Sequence, residues 1–235
     1  MAKKNKDISL SNLIKVKPIT EGQKSVFETW KQGKNQFLFG CAGTGKTFIS
    51  LYLAMQDVLN LQTKYDKVIL VRSLIPTREI GFLPGDEEDK AALYQVPYQN
   101  MVKFMFEQPN EQAFNMLYDR LKSQGSLYFL STSFLRGLTF DNSIIIVDEC
   151  QNLNFHELDT ITTRVGQDSK IIYCGDFSQT DLLKQNERNG LHDFLRILEE
   201  MQEFNCVEFN IGDIVRSGFV RNYLIQKTKL GMGME

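Results

Sequence analysis

The octapeptide Gly40-Cys41-Ala42-Gly43-Thr44-Gly45-Lys46-Thr47 constrains this chain more than any other segment in it. It satisfies G-x-x-x-x-G-K-T and stands where such a loop must stand. The short apolar run 35–39 precedes it, and residues 46–60 follow with Phe48, Leu51, Tyr52, Met55 and Leu59 at helical spacing. The glycines let the chain turn so that successive backbone N–H groups point inward at phosphates, and the following helix adds its positive dipole end. Lys46 is placed for the β- and γ-phosphates, and the Thr47 hydroxyl for Mg²⁺. The segment from Gly40 through Phe48 is therefore expected to hold ATP with Mg²⁺. A glycine-rich turn of no function is the alternative, and the strand–loop–helix context weighs against it.

A second segment completes the pattern. Ile144-Ile145-Ile146-Val147 reads as a buried strand that delivers Asp148 and Glu149 at its carboxyl end. Asp148 is placed to hold Mg²⁺. Glu149 is placed to orient or deprotonate an attacking water. Two exposed acids at a strand end are the plainer reading, which the upstream loop disfavours. An acid poised to activate water would harm a small-molecule kinase, so hydrolysis is the better expectation.

Two further candidates follow downstream. The apolar run 170–174 opens into a polar loop where Gln179 can meet a γ-phosphate or its attacking water; a local polar turn is the alternative. Arg216, in Asp213-Ile214-Val215-Arg216-Ser217, can stabilise charge on a transferring phosphoryl group or simply make a surface ion pair.

Composition bounds the rest. Hydrophobic residues make up 42% and charged residues 24% of the 235, a globular balance that excludes disordered and collagen-like chains. No apolar run is long enough to span a bilayer, and the polar amino terminus has no signal core, so a cytoplasmic protein without membrane contact is expected. The four cysteines form no C-x-x-C pair and read as reduced, packed thiols. The net charge of −2 excludes a globally basic nucleic-acid coat. Charge is nevertheless uneven: residues 1–35 hold eight lysines against three acids, and residues 85–119 hold seven acids against two lysines. These are either a solvated tail and helix face, or surfaces that meet a second copy or a nucleic acid.

Along the chain, residues 1–17 read as a basic, extended arm. Thr20 caps a helix that runs to about Trp30, with Gln23 able to complete the capping box. Strands are expected near 35–39, 68–71, 127–130, 143–147, 170–173 and 206–209. Helices are expected near 46–60, 88–107, 110–123, 156–164, 190–202 and 217–229, with Pro109 separating 88–107 from 110–123. Residues about 86–124 form an α-helical insertion, residues 18–230 one domain, and residues 231–235 a frayed tail. Alternating strands and helices imply an α/β fold with a parallel sheet and a ligand beyond the strands' carboxyl ends.

The ordered motifs carry a family resemblance. Beside the phosphate loop stand Gly81-Phe82-Leu83-Pro84-Gly85-Asp86, Phe134-Leu135-Arg136-Gly137-Leu138-Thr139-Phe140, Asp148-Glu149-Cys150-Gln151-Asn152, Thr163-Arg164-Val165-Gly166, Gly175-Asp176-Phe177-Ser178-Gln179 and Asp213-Ile214-Val215-Arg216. The chain resembles the phosphate-starvation-inducible PhoH family, itself similar to the first core domain of superfamily 1 helicases. The resemblance implies a P-loop NTPase (RecA-like) fold, and an adenine-reading role for Gln23 beside its capping one. It also implies a γ-phosphate contact for Arg216 and places Arg72 and Arg136 near a nucleic-acid face or a subunit junction. Cys41 departs from the family's usual Pro, Cys150 from its common Ala, and Phe177 from a frequent polar residue.

One core domain leaves an ATP site open on one side, so self-assembly is expected, with the resemblance implying a homo-oligomeric ring, a hexamer. Arg164, Arg188 and Arg136 are the candidates for an arginine supplied to a neighbour. The leading expectation is an oligomeric Mg²⁺-dependent ATPase acting on single-stranded nucleic acid, RNA before DNA. An ATP-operated switch acting on a protein partner is the alternative. A phosphotransferase is weaker, because the acidic insertion holds only Arg120 as a substrate-binding arginine.

Overall fold

The apolar runs of this chain become strands that are buried on both sides, and the period-2 alternation divides them between two cores. The structure, a computed structural model, describes residues 7–73, 87–132, 135, 137–176 and 185–230. Six strands, β1 (Asn35–Gly40), β2 (Lys67–Arg72), β3 (Leu127–Ser131), β4 (Ser143–Val147), β5 (Lys170–Cys174) and β6 (Phe204–Phe209), form one sheet in the order β3-β2-β4-β5-β1-β6. Every pairing is parallel. With helices on both faces, this is the expected α/β P-loop NTPase architecture.

Among the described residues seven α-helices connect and cover the strands: α1 (Glu21–Lys31), α2 (Lys46–Leu59), α3 (Glu87–Phe106), α4 (Glu111–Ser123), α5 (Phe155–Thr162), α6 (Gln185–Glu200) and α7 (Gly218–Lys229). Leu38, Val68, Leu70, Ile144, Ile146, Ile172 and Cys174 face a core shared with α1–α4. Their sequence neighbours Phe37, Ile69, Val71, Ile145, Val147, Ile171 and Tyr173 face a second core completed by α5 and α6.

The helical insertion is the crossover from β2 to its neighbour β3, and it is integral to the first core. Tyr98, Val102, Met105 and Phe106 of α3 are buried there with Phe114 and Leu121 of α4. Asn110 caps α4 by accepting from the Ala113 N–H, just after Pro109 as the sequence indicates. The basic amino-terminal segment is docked from residue 8 onward. Ile8 and Leu13 are buried, the Ile14 N–H donates to the Met105 carbonyl at 2.9 Å, and the Val16 N–H donates to the Tyr52 hydroxyl at 3.1 Å. Thr20 caps α1 as expected, but the Gln23 carbonyl accepts from the Ile19 N–H rather than closing the box on Thr20.

At the amino ends of the strands Lys170 is only 2% exposed. Its ammonium lies 4.1 Å from the centroid of the Trp30 ring, and the Trp30 indole N–H donates to Asp57. Burial pushes the Lys170 pKa down to about 8.

Candidate nucleotide site

Strand parity places the first acid. The even-numbered residues of β2, β4 and β5 face α2 and α3, so Asp148, one step beyond Val147, turns to that face. There the Thr47 hydroxyl, in the first turn of α2, donates to Asp148 Oδ1 at 2.6 Å. Arg72, at the end of β2, comes to the same face. The register pairs Val71 with Val147, and the Asp148 N–H donates to the Val71 carbonyl at 2.9 Å. Continued alternation would send Glu149 to the opposite face. Instead its backbone is left-handed, with φ 52° and ψ 43°, and both acids line one cavity.

The phosphate loop arches from β1 to α2. Gly40 has φ +109°, and a Cβ on it would stand 2.2 Å from the Phe209 carbonyl oxygen, because the Cys41 N–H donates to that same oxygen at 2.8 Å. Gly43 has φ +73°, and a Cβ there would stand 2.8 Å from Arg216 Cγ. Lys46 is nearly buried, its ammonium donating to the carbonyls of Gly40 (3.0 Å) and Cys41 (2.7 Å). Burial holds its pKa below the ordinary lysine value, partly offset by the charge of Asp176.

Glu149 is held by Gln151, whose amide donates to Glu149 Oε2 at 2.5 Å while its carbonyl accepts the Asp176 N–H at 3.0 Å. Gln151 thereby pins the carboxylate to the loop that leaves β5. Burial, and then the adjacent charge of Asp148, raise the Glu149 pKa above the ordinary carboxylate value; the Gln151 bond works against that rise.

Asp148 has a second partner that sequence reasoning missed. The Tyr98 hydroxyl, from the middle of α3, donates to Oδ2 at 2.7 Å. Arg72 stands beside Tyr98, and its guanidinium lies 5.5 Å from the Tyr94 ring centroid. Burial and then Asp148 raise the Tyr98 pKa, so the phenol stays protonated and remains a donor. Burial opposes the charge of Arg72, but Tyr98, Asp148 and Glu149 together outweigh it and hold the guanidinium above its ordinary pKa.

These groups surround a cavity of about 800 Å³, ample for a nucleoside triphosphate. Ala42 through Phe48 form its floor, Asp148, Glu149 and Arg72 one wall, and Val16, Ile19 and Gln23 the far end. Gly40 and Cys41 do not line it; they tie the loop to β6 and to Lys46. Phe48 reaches the rim and packs edge-on against Phe104 of α3. The Gln23 amide donates to the Thr44 carbonyl at 3.0 Å, which binds α1 to the phosphate loop. Arg216 lines the opposite lip, its backbone neighbour Val215 donating an N–H to the Gly43 carbonyl at 3.0 Å.

The donor set suits Mg²⁺ bound beside phosphates. It offers one hydroxyl and one carboxylate oxygen at the helix start, both hard ligands. Among the described residues no cluster of three or more His, Cys, Asp or Glu could cage a metal.

Other residues singled out in the sequence lie elsewhere. Gln179, Arg136 and the segment 81–86 fall outside the described residues, as do residues 1–6 and 231–235. Arg188 falls in the first turn of α6. Arg164 sits at the amino ends of β4 and β5, where its carbonyl accepts the Phe140 N–H, away from the cavity. Among the described residues no helix is long and apolar enough to cross a membrane.

Comparison with known proteins gives one family. The PhoH family of PhoH-like proteins matches residues 15–226. A PhoH-like protein of Mycobacterium leprae is 33% identical over 217 residues, covering 91% of this chain and 59% of the relative. A PhoH-like protein of Synechocystis sp. is 34% identical over 186 residues, covering 79% of this chain and 54% of the relative. This chain thus spans somewhat more than half the length of these two relatives. Among solved structures, the large terminase of a thermophilic bacteriophage, in complex with ADP, aligns at 14% identity and a TM-score of 0.47. That alignment covers 88% of this chain and 49% of the terminase.

Proposed function

The chain belongs to the PhoH family of PhoH-like proteins, and from that premise we propose that it is a Mg²⁺-dependent ATPase. The observation that carries this reading is the 2.6 Å approach of Thr47 to Asp148, which joins the phosphate loop to the acid doublet across β5. Mg²⁺ bound there would neutralise charge on the β- and γ-phosphates. Thr47 and Asp148 would hold it, and the loop N–H groups and Lys46 would cradle the phosphates. Glu149, kept in place by Gln151, takes the proton of the attacking water or orients that water. Arg216 and Gln179 serve the γ-phosphate, and Gln23 closes the base end of the cavity.

The ATPase engages single-stranded nucleic acid, RNA before DNA, and works as a ring, a hexamer. The nucleic-acid part rests on the likeness of the family's motifs to a superfamily 1 helicase core. Assembly is supported by α7, which exposes Phe219 and Tyr223 while its Leu224 lies close to Gly43. A neighbour would cover that helix and supply an arginine, with Arg164, Arg188 and Arg136 as the candidates.

A second reading, an ATP-operated switch acting on a protein, is favoured by α3, which exposes the apolar side chains Leu93, Val96 and Phe104. Free-phosphate release with and without poly-ribonucleotide, paired with solution mass, separates the two. Release that Lys46→Ala abolishes and polynucleotide stimulates supports the leading reading. Release indifferent to every polynucleotide but stimulated by a protein partner supports the second, and no release from the wild type refutes both.

A further inference from the structure

α3 comes from the crossover between β2 and β3, an element that the phosphate loop and the acid doublet do not require, yet it reaches into the nucleotide site. Tyr94, Pro97, Tyr98 and Met101 lie at helical spacing, and the last three line the cavity. Tyr98 is 1% exposed, and its ring packs among the first core and against Phe129. A phenylalanine would fill that space without introducing a polar atom. The hydroxyl instead spans from a core helix to the carboxylate at the end of β4.

We propose that Tyr98 is a positioning residue for the metal-holding carboxylate. Its hydroxyl occupies Asp148 Oδ2, so that Oδ1 alone faces Thr47, and the seating of α3 is thereby tied to the metal state of the site. This deepens the reading of the cavity as a Mg²⁺–ATP site and depends on it. Asp148 carries two oxygens on a side chain that can rotate, and a metal held beside phosphates needs one of them in one place. Thr47 fixes Oδ1 from α2, and Tyr98 fixes Oδ2 from α3. The Val71–Val147 register sets Arg72 next to Asp148, so a positive charge stands beside the carboxylate and the phenol that meets it. Partners of this kind, which touch a ligand of the metal and not the metal, typically govern 10–100-fold in metal affinity.

The test compares nucleotide binding with and without Mg²⁺, using the full chain and a fluorescent ATP analogue. In Tyr98→Phe, affinity in excess EDTA is expected to stay within about 2-fold of wild type, while the gain in affinity on adding Mg²⁺ falls about 10-fold or more. In an Asp148→Asn background the same substitution is expected to change nothing further. A role confined to packing would weaken binding equally in both conditions; that result overturns the proposal, as does an undiminished Mg²⁺ gain in Tyr98→Phe. A wild type that binds no nucleotide in either condition overturns the ATP reading along with it. Should Tyr98→Phe not fold, difluorotyrosine placed at position 98 keeps the hydroxyl and reports by its fluorine resonance. A shift with Mg²⁺ and nucleotide but not with nucleotide in EDTA supports the proposal, and an unmoved resonance overturns it.

Discussion

Gln151 and Glu149 are joined side chain to side chain at 2.5 Å, and the other end of the Gln151 amide is fixed by the Asp176 N–H. One buried amide therefore fixes the direction of the acid assigned to the attacking water and tempers the rise in its proton affinity. Gln151→Met keeps the volume and removes both bonds. Turnover is expected to fall about 10-fold or more, with nucleotide affinity nearly unchanged. Because the Gln151 bond lowers a pKa that burial and Asp148 raise, its loss moves the acid limb of the pH–rate profile to higher pH. A limb that stays in place or moves down would show that Glu149 is not the group that titrates.

Glu149→Gln preserves shape and removes the base. ATP binding is expected to persist while turnover falls about 10²-fold or more. Equilibrium binding and single-turnover phosphate release on the same preparation check this, and normal turnover would remove Glu149 from its role.

At Gly43 the backbone is left-handed, and a Cβ would meet Arg216 Cγ at 2.8 Å. Gly43→Ala thus imposes a backbone cost of about 1–2 kcal/mol on the loop and pushes Arg216 from the lip of the cavity. Nucleotide affinity is expected to drop about 10-fold or more, measured by calorimetry, and the melting temperature to fall by about 2–8 °C.

Lys170 gives a stability prediction remote from the site. Its folded pKa of about 8 lies below the ordinary 10.5, so between those values the unfolded chain holds more protons than the folded one. Stability attributable to this residue must therefore rise with pH across the window, by about 3–4 kcal/mol at most. Urea midpoints of wild type and Lys170→Met at pH 7.5 and 9.5 check it: the wild type gains on the variant as pH rises. A difference independent of pH would mean that the ammonium is not strained by burial.

Much of the site is legible in the sequence, for stated reasons. The phosphate loop is readable because its glycines and Lys46 have fixed spacing, and Asp148 because an all-apolar strand must end somewhere polar. Parity even fixes its face: Ile144 and Ile146 share a core with α2, so Asp148 joins them. Tyr98 was not readable. α3 is buried on one side and exposes Leu93, Val96 and Phe104 on another, so its apolar pattern names no single face. Nor does any local signal tell that a helix holding Pro97 in its middle lies over a cavity built from distant strands. The docking of Ile8 and Leu13 is hidden in the sequence for a related reason, since two apolar residues among lysines carry too weak a pattern to reveal a burial site.

The left-handed backbone at Glu149 gives the acid doublet a direction. Asp148 leaves the strand in register and meets Thr47 at 2.6 Å, whereas Glu149 leaves from a left-handed residue on a side chain one methylene longer. Transposing the two, with charge and composition untouched, would overshoot at the first position and fall short at the second. In this protein the order of two neighbouring letters carries as much chemistry as their identity.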